Sequence, residues 1–230
     1  MTDMQNVKAN GFALAVVLAL IAFAASPARA QNELSVRVST QFVPQSTLAA
    51  TGATARLVLA ELGYARRLVP LWRGGLWVEG AWSIGQRDEP DLFGAFESHL
   101  LVQSLTAGVR YALPVTAWFI PHLRAGGGAL VGGYTLGRGV PDTTSWSGAA
   151  TGYALAGAEL LIPREPGRHG QSLWTAGLVV EGGAIVSSKL SFHAEPQSNP
   201  DDLRIATTGA DLGGFALSGF TLRIGIVVRF

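Results

Sequence analysis

Cysteine is absent from the 230 residues, and charge is scarce. The first absence removes disulfides, iron–sulfur clusters, thiolate zinc sites and cysteine nucleophiles together. Charged residues make up 14% of the chain, against roughly 25% in a typical soluble domain. Their signs nearly cancel, at a net +1, which leaves no electrostatic footprint for nucleic acid. Long apolar runs are also missing. Only residues 11–25 form one, and this excludes a bundle of membrane-spanning helices. Disorder is excluded by an apolar content of 48% combined with so small a net charge. What the chain does have is glycine, 29 residues of it, and a positive mean hydropathy. Such a chain must disperse its apolar side chains with a short period.

Residues 1–30 read as a secretory signal peptide. Lys8 supplies the positive start, residues 11–25 the apolar stretch, and Ser26-Pro27-Ala28-Arg29-Ala30 the small-x-small cleavage pattern. Cleavage is expected after Ala30, leaving residues 31–230 as a single domain. Without a cysteine after the apolar stretch, no lipid anchor is expected. Removal of Asp3, Lys8 and Arg29 brings the net charge to zero.

Beyond Ala30 the apolar residues alternate. The last segment shows it most clearly: Phe220, Leu222, Ile224, Ile226, Val228 and Phe230 occupy one set of alternate positions. The other set holds Thr221, Arg223, Gly225, Val227 and Arg229. Successive side chains of a strand point to opposite faces, so this pattern is a strand with one apolar face. The same period predicts strands over 34–43, 57–67, 76–86, 101–112, 120–133, 149–162, 173–187 and 220–230. Odd-numbered connections are long and rich in Ser, Thr, Asp and Pro; even-numbered ones are shorter turns with Pro or Gly. Eight alternating strands with long loops at one end and short turns at the other predict an all-β, eight-stranded antiparallel up-and-down transmembrane barrel. A soluble barrel would alternate too, with its apolar face inward. Scarce strand charge, the export signal, a Gly- and Ser-rich polar face and aromatics near strand ends (Tyr64, Trp82, Tyr111, Trp174 and Phe230) place lipid outside.

The polar face then carries one charge per strand: Arg37, Glu61, Glu79, Arg110, Arg124, Glu159, Glu181 and Arg223. Neighbouring strands pair Glu61 with Arg37, Glu79 with Arg110, Glu159 with Arg124 and Glu181 with Arg223. The interior of an eight-stranded barrel is just wide enough for side chains to fill. Charges there lose their water and must pair, which predicts a salt-bridged plug without an open pore. Gly63, Gly108, Gly126, Gly128, Gly157 and Gly225 lie on or beside the same face and make room for long side chains.

Leu59-Ala-Glu-Leu-Gly-Tyr64, Leu105-Thr-Ala-Gly-Val-Arg-Tyr111, Pro121-His-Leu-Arg-Ala-Gly-Gly-Gly128 and the terminal Arg229-Phe230 are the segments that carry a family resemblance. Over residues 31–230 the chain resembles the small outer-membrane β-barrel proteins of the OmpA/OmpX type. The resemblance implies a Gram-negative outer membrane, with lipid and lipopolysaccharide as surroundings and a monomeric barrel. It also implies periplasmic chaperones and the barrel assembly machinery as partners in biogenesis. In that family an aromatic-terminated last strand is the assembly signal, and Phe220, Ile226, Val228 and Phe230 match it. No peptidoglycan-binding segment follows Phe230, so cell-wall tethering is not implied.

Signs of chemistry are few. The four histidines, His99, His122, His169 and His193, include no HExxH zinc motif. A lipid A deacylase needs a His-x-Ser element; His169-Gly-Gln171 and His193-Ala-Glu195 do not provide one. Ser191 and His193 are the residues a palmitoyltransferase-like site would draw on. Gly126-Gly-Gly128 lies within a strand with no Lys-Ser/Thr after it, so it is no phosphate loop. Asp201 and Asp202 are the adjacent carboxylates to consider for a weak Ca²⁺ site. The expected function is therefore non-enzymatic, without cofactor or metal: a structural or surface-interaction barrel. The alternatives are a narrow channel for small solutes or a lipid-modifying enzyme.

Overall fold

The computed structural model describes residues 32–43, 56–92, 96–137, 143–162, 174–194 and 210–230. Residues 1–30, expected to be a signal peptide, together with His169 and the pair Asp201 and Asp202, lie outside the described residues.

Ten strands follow one another: β1 (Asn32–Phe42), β2 (Arg56–Leu71), β3 (Gly74–Leu92), β4 (Phe96–Ala112), β5 (Phe119–Gly137), β6 (Thr143–Leu161), β7 (Thr175–Ser187), β8 (Lys189–Ala194), β9 (Ala210–Ala216) and β10 (Gly219–Arg229). Eight close into a barrel in the order β1-β10-β7-β6-β5-β4-β3-β2, every neighbour antiparallel. The closing pair runs from Glu33↔Arg229 to Phe42↔Phe220. At its end the Asn32 and Phe230 backbones exchange hydrogen bonds of 2.8 and 2.9 Å. Both ends of the described chain therefore sit at one end of the barrel, with the β2–β3, β4–β5 and β6–β7 connections. A closed sheet leaves no unpaired edge, which is what a β-structure needs in a medium that offers no hydrogen bonds.

Two features differ from the sequence reading. The strands around the third and fifth connections run further than the apolar alternation does: β3 continues to Leu92, β4 starts at Phe96, and β5 and β6 reach Gly137 and Thr143. Alternation reports the lipid-facing stretch, whereas the backbone ladder continues past it into water. The seventh connection is not simply a loop, for β8 and β9 pair within it as a separate two-stranded sheet.

Side chains alternate as an inverted soluble protein would. Val36 is 61% exposed while its neighbour Arg37 is 3% exposed; Ile224 is 58% exposed beside Arg223 at 8%. The outward set forms a continuous apolar belt that includes Leu34, Leu62, Leu123, Leu178, Leu222 and Ile226. From Phe220 to Phe230 the strand is about 34 Å long at 3.4 Å per residue and, tilted by about 40°, covers about 26 Å of the axis. That matches the apolar band of about 25 Å in membrane barrels. At the termini end, Tyr111, Trp118, Trp174 and Phe230 lie near strand ends, whereas Tyr64 lies in the middle of β2; at the other, the tilted rings of Phe42 and Phe220 lie 6.5 Å apart. Trp82 lies in mid-strand on β3 rather than at a rim.

Candidate functional site

The inward face of every barrel strand supplies side chains to one lumen, and three tiers fill it. Nearest the termini, Glu33, Arg110, Glu159 and Arg229 form a closed circuit. Arg110 Nη1 donates to Glu33 and to Glu159, each at 2.7 Å. Arg229 Nε donates to Glu33 at 2.9 Å, and its Nη2 donates to Glu159. The indole of Trp77 packs under both guanidinium groups, 4.9 Å from Arg110 and 5.0 Å from Arg229. An apolar cluster of Ala65, Trp77, Ala112 and Ile120 lies at this level.

The second tier is built on Arg124. Its Nε donates to Glu79 at 2.6 Å and its Nη1 to Glu181 Oε2 at 2.9 Å. His122, two residues earlier on the same face, donates Nε2 to Glu181 at 2.9 Å. Glu61 receives Arg37 at 2.7 Å and Arg223 at 2.8 Å, one on each oxygen. Tyr153 donates to Glu79 at 2.9 Å and offers its ring to Arg124 and Arg223, at 5.1 and 5.7 Å. Five arginines and five glutamates thus balance across the two tiers. Charge-assisted bonds of this length are strong individually. Yet Glu79 Oε2, His122 Nδ1 and the Nε atoms of Arg37, Arg110 and Arg223 find no hydrogen-bond partner among the described residues. The cluster repays its desolvation only in part.

The third tier is apolar. Leu57, Leu59, Leu100, Val102, Leu130 and Tyr134 line the half of the lumen away from the termini, and Leu190, Phe192, Phe215 and Leu217 of the β8–β9 hairpin pack against them. Phe192 sits 5.7 Å from Tyr134 and 5.4 Å from Phe215, ring centre to ring centre. The hairpin is fastened to inward-facing hydroxyls: Ser191 N–H donates to Ser147 at 2.9 Å and His193 N–H to Ser145 at 3.0 Å. At its base Leu217 N–H donates to Ser187 Oγ at 2.7 Å and Gln41 Nε2 to the Leu217 carbonyl at 2.5 Å.

All eight charges named from the sequence lie in these tiers and are at most 8% exposed. Only one of the four pairings drawn between neighbouring strands is made, Arg37 with Glu61. Glu79 meets Arg124 in place of Arg110, Glu159 meets Arg110 and Arg229 in place of Arg124, and Glu181 meets Arg124 and His122 in place of Arg223. The reason is reach. In a lumen this narrow an arginine spans strands that are not neighbours, so partners are set across the barrel as well as along the wall. Sequence reasoning missed three members, Glu33, Arg229 and His122. Each shares the parity of its strand's named charge, so continuing the alternation by one to three alternate positions finds it.

Several glycines make these side chains possible. A Cβ on Gly225 would lie 2.7 Å from Arg37 Cγ, one on Gly157 2.8 Å from Glu181 Cγ, and one on Gly126 2.7 Å from Tyr153 Oη. Among the described residues no group of three or more His, Asp or Glu is arranged to hold a metal ion. Ser191 and His193 are both exposed on β8, with their backbone N–H groups bonded to β6 hydroxyls. The last strand presents Phe220, Ile226 and Phe230 outward, 49%, 58% and 45% exposed, with Val228 half-buried.

An apolar outer belt, a closed hydrogen-bonded wall and a buried ionic lumen are the properties of a membrane-spanning barrel. Strand number, next-neighbour order and closure are those of the small OmpA/OmpX-type barrels. No family model matches the sequence, and no curated protein does. Solved structures of similar shape include Ail, the attachment invasion locus protein of Yersinia pestis, at 13% identity and a TM-score of 0.46, covering 87% of this chain and 98% of that one. Ail in complex with the heparin analogue sucrose octasulfate aligns at 14% identity and 0.43, covering 87% and 99%. Neisserial surface protein A aligns at 10% identity and 0.43, covering 87% and 94%.

Proposed function

We propose that this protein is a non-enzymatic integral outer-membrane barrel whose lumen does no transport and whose interactions are made by its exposed surfaces. The observation that carries the reading is the filling of the lumen: two ionic tiers and an apolar tier occupy it from one end to the other. A solute path through it would require separating these buried, desolvated ion pairs. The long connections at the end away from the termini face the cell exterior in this reading, and the short turns face the periplasm. The exposed ends then contact lipopolysaccharide, matrix or a partner surface. Export by residues 1–30, a monomeric state and delivery by periplasmic chaperones belong to the same reading. So does recognition of Phe220, Ile226, Val228 and Phe230 by the barrel assembly machinery.

Conductance in planar bilayers tests it. The purified barrel should give no stable openings. Openings that vanish when Arg124 or Glu181 is replaced would overturn the closed lumen and favour a channel.

A further inference from the structure

At the termini end the β2–β3 hairpin continues past the last pairs its strands make with β1 and β4. Pairing of β1 with β2 stops at Asn32↔Arg66 and pairing of β3 with β4 starts at Gly75↔Ala112, so among the described residues 67–74 pair only within the β2–β3 hairpin itself. On β2 the inward positions run Leu57, Leu59, Glu61, Gly63 and Ala65, and strict alternation would send Val69 and Leu71 inward as well. The register instead shifts between Arg67 and Val69, so that Val69 pairs with Leu76 and Leu71 with Gly74. A bulge changes which face the following side chains occupy. Val69 and Leu71 now share the outer face with Leu76 and Val78 and continue the apolar belt past the last ring of the barrel.

The tip bears Trp72, which is 94% exposed and has φ of 52°. A left-handed backbone disfavours a residue with a Cβ, and glycine is the ordinary occupant of such a turn. A tryptophan kept there without a packing partner has its use outside the chain. Arg73 is exposed next to it, Arg66 stands on the outer face above it, and the Tyr111 hydroxyl donates to the Leu71 carbonyl at 3.4 Å, joining the hairpin to β4.

We propose that this hairpin tip is a lipid-interface anchor that extends the membrane contact of one side of the barrel into the phospholipid headgroup layer. The inference rests on the reading of the outer belt as lipid-facing. Continuity with that belt argues for lipid over a protein partner, since Val69 and Leu71 are aimed to the same side as its residues. Trp72 combines an apolar ring with an N–H donor, the chemistry suited to the boundary between hydrocarbon and water. Arg66 and Arg73 complement the phosphodiester anions found at that depth.

The test reconstitutes the full barrel in phosphatidylcholine–phosphatidylglycerol vesicles and compares wild type with Trp72→Phe, so that the difference in emission reports Trp72 alone. Lipids brominated near the headgroup should quench most of that difference, and aqueous iodide little of it. Quenching by iodide without quenching by brominated lipid would overturn the proposal and leave a tip standing in water. Trp82, in mid-strand on the outer face, is the internal control, read in the same way from Trp82→Phe. Lipids brominated deep in the acyl chain should quench it, and their failure to do so would count against the membrane reading itself. Trp72→Gly suits the left-handed turn and should fold at least as well as wild type, yet lose the lipid-quenched emission.

Discussion

Arg124 on β5 and Glu79 on β3 meet at 2.6 Å although β4 lies between their strands. The bond crosses part of the lumen instead of following the wall. Arg124 also holds Glu181 on β7, so one guanidinium ties together strands on both sides of its own. An interior connected in this way resists separation, because no single strand can leave without stranding a charge.

Replacement of Glu181 should be severe. Glu181→Ala takes the acceptor from Arg124 Nη1 and His122 Nε2 in a site where Glu181 is 1% exposed, and loss of one partner from a buried pair costs about 3–5 kcal/mol. Asp88→Ala, at an exposed pair with His99, should change stability by no more than about 0.5 kcal/mol. Urea unfolding of both variants in lipid vesicles checks the difference. Equal midpoints would contradict it.

Crowding the lumen should also destabilise. A Cβ at Gly126 would strike the Ala107 carbonyl oxygen and lie 2.7 Å from both Gly108 Cα and Tyr153 Oη, so Gly126→Ala must shift the β4 backbone as well as push Tyr153 away from Glu79. Overpacking of this kind costs about 1–3 kcal/mol. Pairing with Tyr153→Phe should recover part of that loss, since it removes the atom that is struck. A double-mutant cycle in the same unfolding assay measures the coupling.

The apolar tier makes a different prediction. Phe192 is 1% exposed between Tyr134 and Phe215, and truncation to alanine should cost about 3–5 kcal/mol locally. The barrel wall does not depend on the hairpin for its hydrogen bonds. Phe192→Ala should therefore speed proteolysis within β8 and β9 while the ionic tiers keep the lumen closed. Limited proteolysis with mass spectrometry reads the first effect, and unchanged absence of conductance the second.

Phe230 closes the barrel through backbone bonds to Asn32, and its side chain is 45% exposed. Phe230→Ala keeps those bonds, so spontaneous refolding in vesicles should be nearly unaffected. Assembly in cells, or in vesicles carrying the assembly machinery, should slow markedly. A comparable loss in both settings would assign Phe230 to stability and not to recognition.

The sequence by itself determined the wall. Period two with an apolar set on every segment establishes strands, their number and the face each side chain takes, because alternation is a property of the single strand and needs no partner. Arg37 and Val36 could be assigned to opposite faces without knowing what lay beside them. Tertiary structure decided everything that depends on distance across the lumen. Arg124 chose Glu79 over Glu159, and Arg229 and Glu33 entered the lower circuit, because a closed sheet brings strands far apart in order within an arginine's length. The β8–β9 hairpin was illegible for a related reason: its Leu190, Phe192, Phe215 and Leu217 are buried against the inner wall, where no lipid-facing alternation marks them. The bulge after Arg67 escaped too, since a register shift exists only between two strands. Local pattern determined which way each residue faces up to that bulge; closure of the barrel decided what it meets.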